Sequence, residues 1–380
     1  MDFTQLFQFA TLWNMVSYIV PFIVALTIIV FVHEYGHFIV GRWCGVKIEV
    51  FSVGFGRELF GFNDRHGTRW KFCLWPLGGY VRFQGDANAA SMPDTTTPQA
   101  VTSLHAKPVW QRAAIVFAGP FANFLLTIVI FAGSFALIGL PYAEPTVSEV
   151  VAGSAAEKAG LIKGDRIYSV DGAITRSFAS VQEAVWLRAG EELDVTIERN
   201  GAMLPLKLTP QVREEPDGFG GIRRVGQLGV KHFPAADEPK YQRFAPHEAL
   251  AKGVERTWYI IATTGKFIGK LVSGQQSVKQ VGGAISIGKG AADAASDGPW
   301  SFIFFIGLLS VSVGLINLFP VPMLDGGHLV YYAIEAVRGK PLGPQAQEWG
   351  FRLGFSLVVM LMVLGLFNDA GRIVNHGFGT

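Results

Sequence analysis

An uncharged run from Val16 to Val32 leads straight into His33-Glu34-Tyr35-Gly36-His37. A helix needs about 20 apolar residues to cross the hydrocarbon of a bilayer, which is what this stretch supplies. Ionisable side chains at that depth are costly and mark function by default. Positions i and i+4 share one helix face, their Cβ atoms roughly 5–6 Å apart. His33 and His37 can therefore grip one Zn²⁺, with Glu34 beside them as a base toward water. The competing account is a chance match, or histidines capping a helix end. It loses weight because the motif and the membrane setting point to function independently.

The 380 residues suffice for two or three domains, half of them are hydrophobic and 16% are charged. With a mean hydropathy of +0.32, the chain is too apolar for an ordinary soluble enzyme and too charged for a pure transporter bundle. A net charge of +2, without a basic cluster interleaved with aromatics, argues against nucleic acid as a partner. Cys44 and Cys73 both fall in a segment expected on the cytoplasmic side, where they stay reduced.

Four spans are expected, over 15–40, 110–140, 300–324 and 351–367, the second interrupted at Gly119-Pro120. Residues 41–112 carry nine basic and five acidic side chains, whereas the N-terminal tail carries no basic one. The positive-inside rule then places this loop in the cytoplasm and both termini outside. Within it, 47–55 and 68–74 alternate as strands about the turn 63–67, which predicts a β-hairpin. Its open edge, at Gly54, Phe55 and Gly56, could pair with an extended substrate; a plain surface hairpin is the alternative. Residues 86–108 read as a flexible linker, 247–271 as an amphipathic helix on the outer leaflet, and 282 onward as a loop or re-entrant piece.

The expected division is 1–112 (first span and hairpin loop), 113–145 (second span), 146–212 (an inserted α+β domain), 213–300 (an amphipathic and linker region) and 301–380 (third and fourth spans). In the inserted domain, A-x-x-A-G-L-x-x-G-D-x-I-x-x-V-D-G from Ala156 to Gly172 resembles a bacterial PDZ domain. PDZ domains bind peptides by adding a strand at a sheet edge, so a peptide or protein partner at that groove is implied. A domain that only limits access sterically is the alternative.

A hydrolytic zinc site usually has three protein ligands and one open position. Asp325 is the one carboxylate at membrane depth on a helix broken by Pro320, Pro322, Gly326 and Gly327. His328 is its rival by chemistry. Topology favours Asp325, because the third span runs inward to the cytoplasmic level of His33.

Together H-E-Y-G-H, G-P-F-A-N-F, N-L-F-P-V-P-M-L-D-G-G-H, F-S-V-G-F-G-R-E-L and P-L-G-G-Y-V-R resemble the site-2 protease family, nearest its bacterial RseP branch. That branch often carries two PDZ domains, whereas one copy is found here. The resemblance implies zinc on His33, His37 and Asp325, Glu34 as catalytic base, and Asn317 and Asn123 near the substrate. It also implies single-span membrane proteins as substrates, such as an anti-sigma factor or remnant signal peptides, in a stress response by regulated intramembrane proteolysis. The expected site is the bacterial inner membrane, with the PDZ domain periplasmic and the active site near the cytoplasm. Two other classes compete: a metal or ion transporter with broken helices, and an idle PDZ adaptor.

Overall fold

The computed structural model describes residues 3–86, 100–142, 144–175, 177–186, 188–216, 222–231, 240–274, 278 and 282–376. The chain divides into two compact units, one of 1–134, 249–266 and 278–380, the other of 135–248 and 267–277. Among the described residues, four helices are long and apolar enough to cross a membrane. They fit a multi-pass membrane protein with β elements set between its helices.

The first unit begins with α1 (Phe3–Trp43), unbroken through Pro21. Two strands follow, β1 (Ile48–Asn63) and β2 (Arg69–Phe83), paired antiparallel. Both are longer than the alternation predicts and both bend. Val50–Val53 is consequently matched with Gly79–Arg82 on one side and with Arg69–Phe72 on the other. The bend in β1 falls at Gly54 and Gly56, both with φ of +88°. Asp64 closes the hairpin turn. Burial alone would raise its carboxyl, but the Thr68 and His66 N–H groups, the Trp70 indole and Arg42 together hold it down at about 2. Phe38, Phe51, Val53, Val81 and Ile115 form the core beneath this sheet.

Residues 87–99 of the expected linker lie outside the described residues. The remainder is ordered structure: Leu104 and Ser103 are buried, and His105 pairs with Asp86 at 3.1 Å. Leu104 joins the core of the first unit, and hydrogen bonds from Lys47 N–H to the Thr102 carbonyl and from Leu104 N–H to the Gln84 carbonyl tie the segment to β2 and its neighbours. Helix α2 (Val109–Leu137) then runs continuously through Gly119-Pro120, where an interruption was expected. A proline is tolerated inside a membrane helix because neighbouring groups satisfy the freed carbonyl.

The second unit holds β3 (Leu140–Tyr142), β4 (Glu149–Val150), α3 (Ala155–Lys158), β5 (Arg166–Val170), β6 (Ala173–Ile174), α4 (Phe178–Trp186), β7 (Leu193–Arg199) and β8 (Ala202–Leu208). Strands β9 (Gln211–Pro216), β10 (Ile222–Gln227), β11 (Val230–Lys231) and β12 (Lys240–Gln242) complete it. The main sheet has the order β6-β5-β7-β8. Asn200 and Gly201 take positive φ of 51° and 82°, as the two-residue hairpin turn between β7 and β8 requires. Val147, Leu161, Ile167, Val181, Leu193, Ile197 and Leu228 make its core. Asp165 is tied by two hydrogen bonds to Arg199, at 2.7 and 2.8 Å.

Helix α5 (Pro246–Val272) is amphipathic, as expected. Ala249, Gly253, Thr257 and Ile260 are buried at helical spacing, while Leu250, Val254, Trp258 and Tyr259 are exposed. Where a loop or re-entrant piece was expected, helix α6 (Ala284–Ser296) forms instead. Its glycines and alanines give little hydrophobic signal, yet they let it pack closely on α1, α7 (Pro299–Asn317) and α9 (Pro344–His376). Asp369 of α9 caps it from outside, accepting from the N–H groups of Gly283, Ile285 and Ser286.

Between α7 and α8 (Asp325–Arg338) the chain is irregular over 318–324, with Met323 at φ +108°. Gly354 of α9 lies so close that an added Cβ would sit 1.6 Å from the Pro322 oxygen. Thr127 and Ser310 bridge α2 and α7, donating to the Gly307 and Asn123 carbonyls at 3.0 Å each. At the other end of α2, Arg112 grips Glu335 of α8 through two hydrogen bonds of 3.0 and 2.6 Å and lies over the Tyr332 ring. Both side chains of this pair are nearly buried, 11% and 13% exposed. Arg112→Ala strands a desolvated carboxylate and is expected to cost about 3–5 kcal/mol. The check is the thermal unfolding midpoint in detergent; a shift no greater than that of a surface arginine control would contradict this role.

Candidate active site

His33, Glu34 and His37 lie on the inner turns of α1, where an apolar helix has been held against α2 and the β1–β2 sheet. Both histidines are buried. The irregular segment after α7 delivers Asp325 to them at the start of α8. Asp325 Oδ2 lies 3.1 Å from His33 Nε2 and 3.6 Å from His37 Nε2, and the two Nε2 atoms are 3.2 Å apart. The three donor atoms thus fall within 4.8 Å of one another.

Which nitrogen faces inward follows from the partners outside. His37 Nδ1 is 2.8 Å from the Ile115 carbonyl oxygen, which can only accept. Nδ1 therefore carries the proton and Nε2 presents a lone pair. His33 Nδ1 lies 3.2 Å from the Asn123 side-chain amide nitrogen; a half-turn of that amide brings its oxygen to Nδ1–H and leaves the Nε2 lone pair toward the same point. Asp325 Oδ2 is buried without a hydrogen-bond partner. Two lone pairs and a carboxylate aimed at one another without a donor between them fit a cation. Nitrogen and oxygen in this ratio suit zinc. Room for the rings comes from Gly119, whose added Cβ would meet His37 Nε2 at 2.3 Å.

The site opens on a cavity of ≈ 210 Å³ lined by His33, Glu34, His37, Gly79, Tyr80, Val81, Phe83, Asn317, Met323, Asp325 and His328, among others. Glu34 accepts a hydrogen bond from Val81 N–H. A Cβ on Gly79 would come within 3.2 Å of the Glu34 Cγ and 2.9 Å of Val30, so the strand passes at backbone contact.

Of the residues named from sequence, His33, Glu34, His37, Asp325 and Asn317 come together around this cavity. Gly54, Phe55 and Gly56 do not line it. They form the bend of β1, and Phe55 reaches the cavity only indirectly, by stacking on Tyr80 at 6.1 Å. The strand beside the site is Gly79–Phe83 of β2, whose Gly-Gly pair was a legible signal of close backbone approach. Asn123 is fully buried against His33 and does not line the cavity either. Ile115 and Gly119 act through a backbone oxygen and a missing side chain, for which residue type gives little clue.

The model of peptidase family M50 matches residues 21–361. The chain belongs to that family. It is 47% identical to a protein named "Putative zinc metalloprotease" in Rhizobium meliloti over 96% of this chain and 98% of the relative. It is also 39% identical to "Metalloprotease MmpA" of Caulobacter vibrioides, over 93% of this chain and 95% of that one. With this membership the chain is a zinc metalloprotease of the site-2 type, and zinc is its metal.

Proposed function

We propose that this protein is an intramembrane endopeptidase that cuts the transmembrane segments of single-span membrane proteins already trimmed on their outer side. Anti-sigma factors and remnant signal peptides are the substrate types, and regulated intramembrane proteolysis the setting. One observation carries this reading: His33 and His37 on a helix of membrane-spanning length converge with Asp325, beside a strand edge that no other strand among the described residues pairs with.

In this reading His33, His37 and Asp325 hold the zinc. Zinc when bound polarises the scissile carbonyl and lowers the pKa of water from 15.7 to about 7. Glu34 takes the proton of the attacking water and returns it to the leaving amine. A helical substrate shields its peptide bonds by its own hydrogen bonds, so it must be drawn out before cleavage. Among the described residues no strand pairs with the outer side of Gly79–Phe83, and an extended substrate can add there. Asn317, at the last turn of α7, faces the same cavity and is placed to hold the substrate backbone.

The basic loop around β1 and β2 supports a cytoplasmic position for the hairpin and for the active-site level, in the bacterial inner membrane with both termini outside. The PDZ domain expected over 146–212, within the second unit, is then periplasmic. The second unit's groove of ≈ 410 Å³, between α4 (Phe178, Val181, Val185, Trp186) and the run 225–230, suits an extended peptide. The exposed Trp258 and Tyr259 of α5 suit the membrane interface.

The test uses the purified full-length protein and a single-span substrate. Cleavage is expected, is expected to stop on treatment with a zinc chelator, and to return when zinc is restored. Cleavage indifferent to the chelator would refute the metalloprotease mechanism. No cleavage, with zinc flux into proteoliposomes instead, would put the transporter reading in its place.

A further inference from the structure

We propose that Asn123 is a positioning residue for His33. Its side-chain amide oxygen accepts the hydrogen bond that His33 Nδ1–H donates, which fixes the ring nitrogen presented to zinc. This rests on the zinc site proposed above.

The resemblance to known proteases puts Asn123 near the substrate, but its surroundings point elsewhere. The residue is fully buried and takes no part in lining the cavity. The nearer end of its side-chain amide is the nitrogen, Nδ2, 3.2 Å from His33 Nδ1. The amide oxygen, Oδ1, is buried and has no hydrogen-bond partner. An amide kept only to tie the helices together would have both ends bonded into them. A metal on Nε2 obliges Nδ1 to carry the proton, so the useful group opposite is an acceptor. The two ends of the amide exchange by a half-turn of the terminal torsion, within the same envelope.

The backbone at this point is held firmly. Ser310 of α7 donates to the Asn123 carbonyl at 3.0 Å, and the Thr127 hydroxyl one turn on shares its one proton between that carbonyl and the Gly307 carbonyl, 3.0 Å from each. Gly314 of α7 leaves space for the side chain; its added Cβ would lie 3.1 Å from Asn123 Cβ. Helix α2 therefore serves both imidazoles. The Ile115 carbonyl holds His37 Nδ1, and two turns later Asn123 holds His33 Nδ1. Acceptors in this position orient a metal-bound ring and raise its basicity, and their loss typically costs 10–100-fold in metal affinity.

The experiment compares full-length wild type, Asn123→Leu and Asn123→Asp in detergent. Zinc affinity is read by chelator competition, cobalt(II) absorption reports the ligand field, and unfolding of the metal-free forms reports stability. Asn123→Leu, similar in volume and lacking an acceptor, is expected to bind zinc about 10–100-fold more weakly with a shifted cobalt spectrum. Asn123→Asp, a stronger acceptor of the same shape, is expected to bind zinc more tightly than wild type, with a shifted cobalt spectrum. Equal zinc affinity and an unchanged cobalt spectrum in Asn123→Leu would overturn the proposal while leaving the metal site intact, as would a rise in KM alone. Should Asn123→Leu fail to fold, Asn123→Asp decides: an unaltered affinity and cobalt spectrum there would overturn it too. Absence of zinc binding by wild type would instead bring down the metal site itself.

Discussion

Glu34→Gln is expected to slow peptide-bond cleavage about 10²–10⁴-fold while zinc content stays at the wild-type level. Glutamine keeps the shape and can still accept from Val81 N–H, but it cannot take a proton. Glu34 is also not among the three convergent donors, so its neutralisation removes a base and leaves the ligand set whole. Initial rates on a single-span substrate and metal analysis of the same preparations are both needed. Loss of zinc along with activity would make Glu34 a ligand, and retained activity would remove it from the chemistry.

Asp325→Ala is expected to weaken zinc binding more than 100-fold, beyond the range for an outer partner, and to abolish cleavage. The substitution takes away the only anionic donor and leaves two imidazole lone pairs facing each other at 3.2 Å. Its effect on the helix itself is small, because Asp325 is one acidic residue in the first turn of α8 and such a charge contributes about 0.3–1 kcal/mol there. Zinc content after equilibration at a free zinc concentration that saturates wild type gives the answer. Full occupancy in Asp325→Ala would hand the third position to His328, three residues on and lining the same cavity. His328→Ala would then be the variant that empties the site.

Much of this architecture is legible in the chain because it depends on local period and composition. Long uncharged runs declare the spans, Asn200-Gly201 declares a hairpin, and the buried stripe at Ala249, Gly253 and Thr257 follows the helical period. The misreadings share a cause. Helix α6 is rich in glycine and alanine, and its order comes from close packing and from an Asp369 cap 84 residues beyond Ile285. The linker expected over 86–108 looked polar throughout, yet Leu104 and Ser103 are buried in the first unit. At Gly119-Pro120 a local breaker was overruled by the surrounding helices.

For the site, the sequence by itself determined the donor types and one spacing: His33 and His37 on one helix face, with Glu34 between them in sequence. It favoured Asp325 over its rival His328 by topology and by resemblance, without any measure of distance across almost 300 residues. The tertiary structure supplied the geometry: Asp325 Oδ2 meets the histidines at 3.1 and 3.6 Å, because the irregular turn at 318–324 sets where α8 begins and which way its first side chain is carried. It also decided that Gly79–Phe83, rather than Gly54–Gly56, runs past the Glu34 carboxylate, and that Asn123 meets the His33 ring rather than the cavity. Hydrogen bonds and backbone approach of this kind are fixed by three-dimensional packing, and residue order alone carries no measure of them.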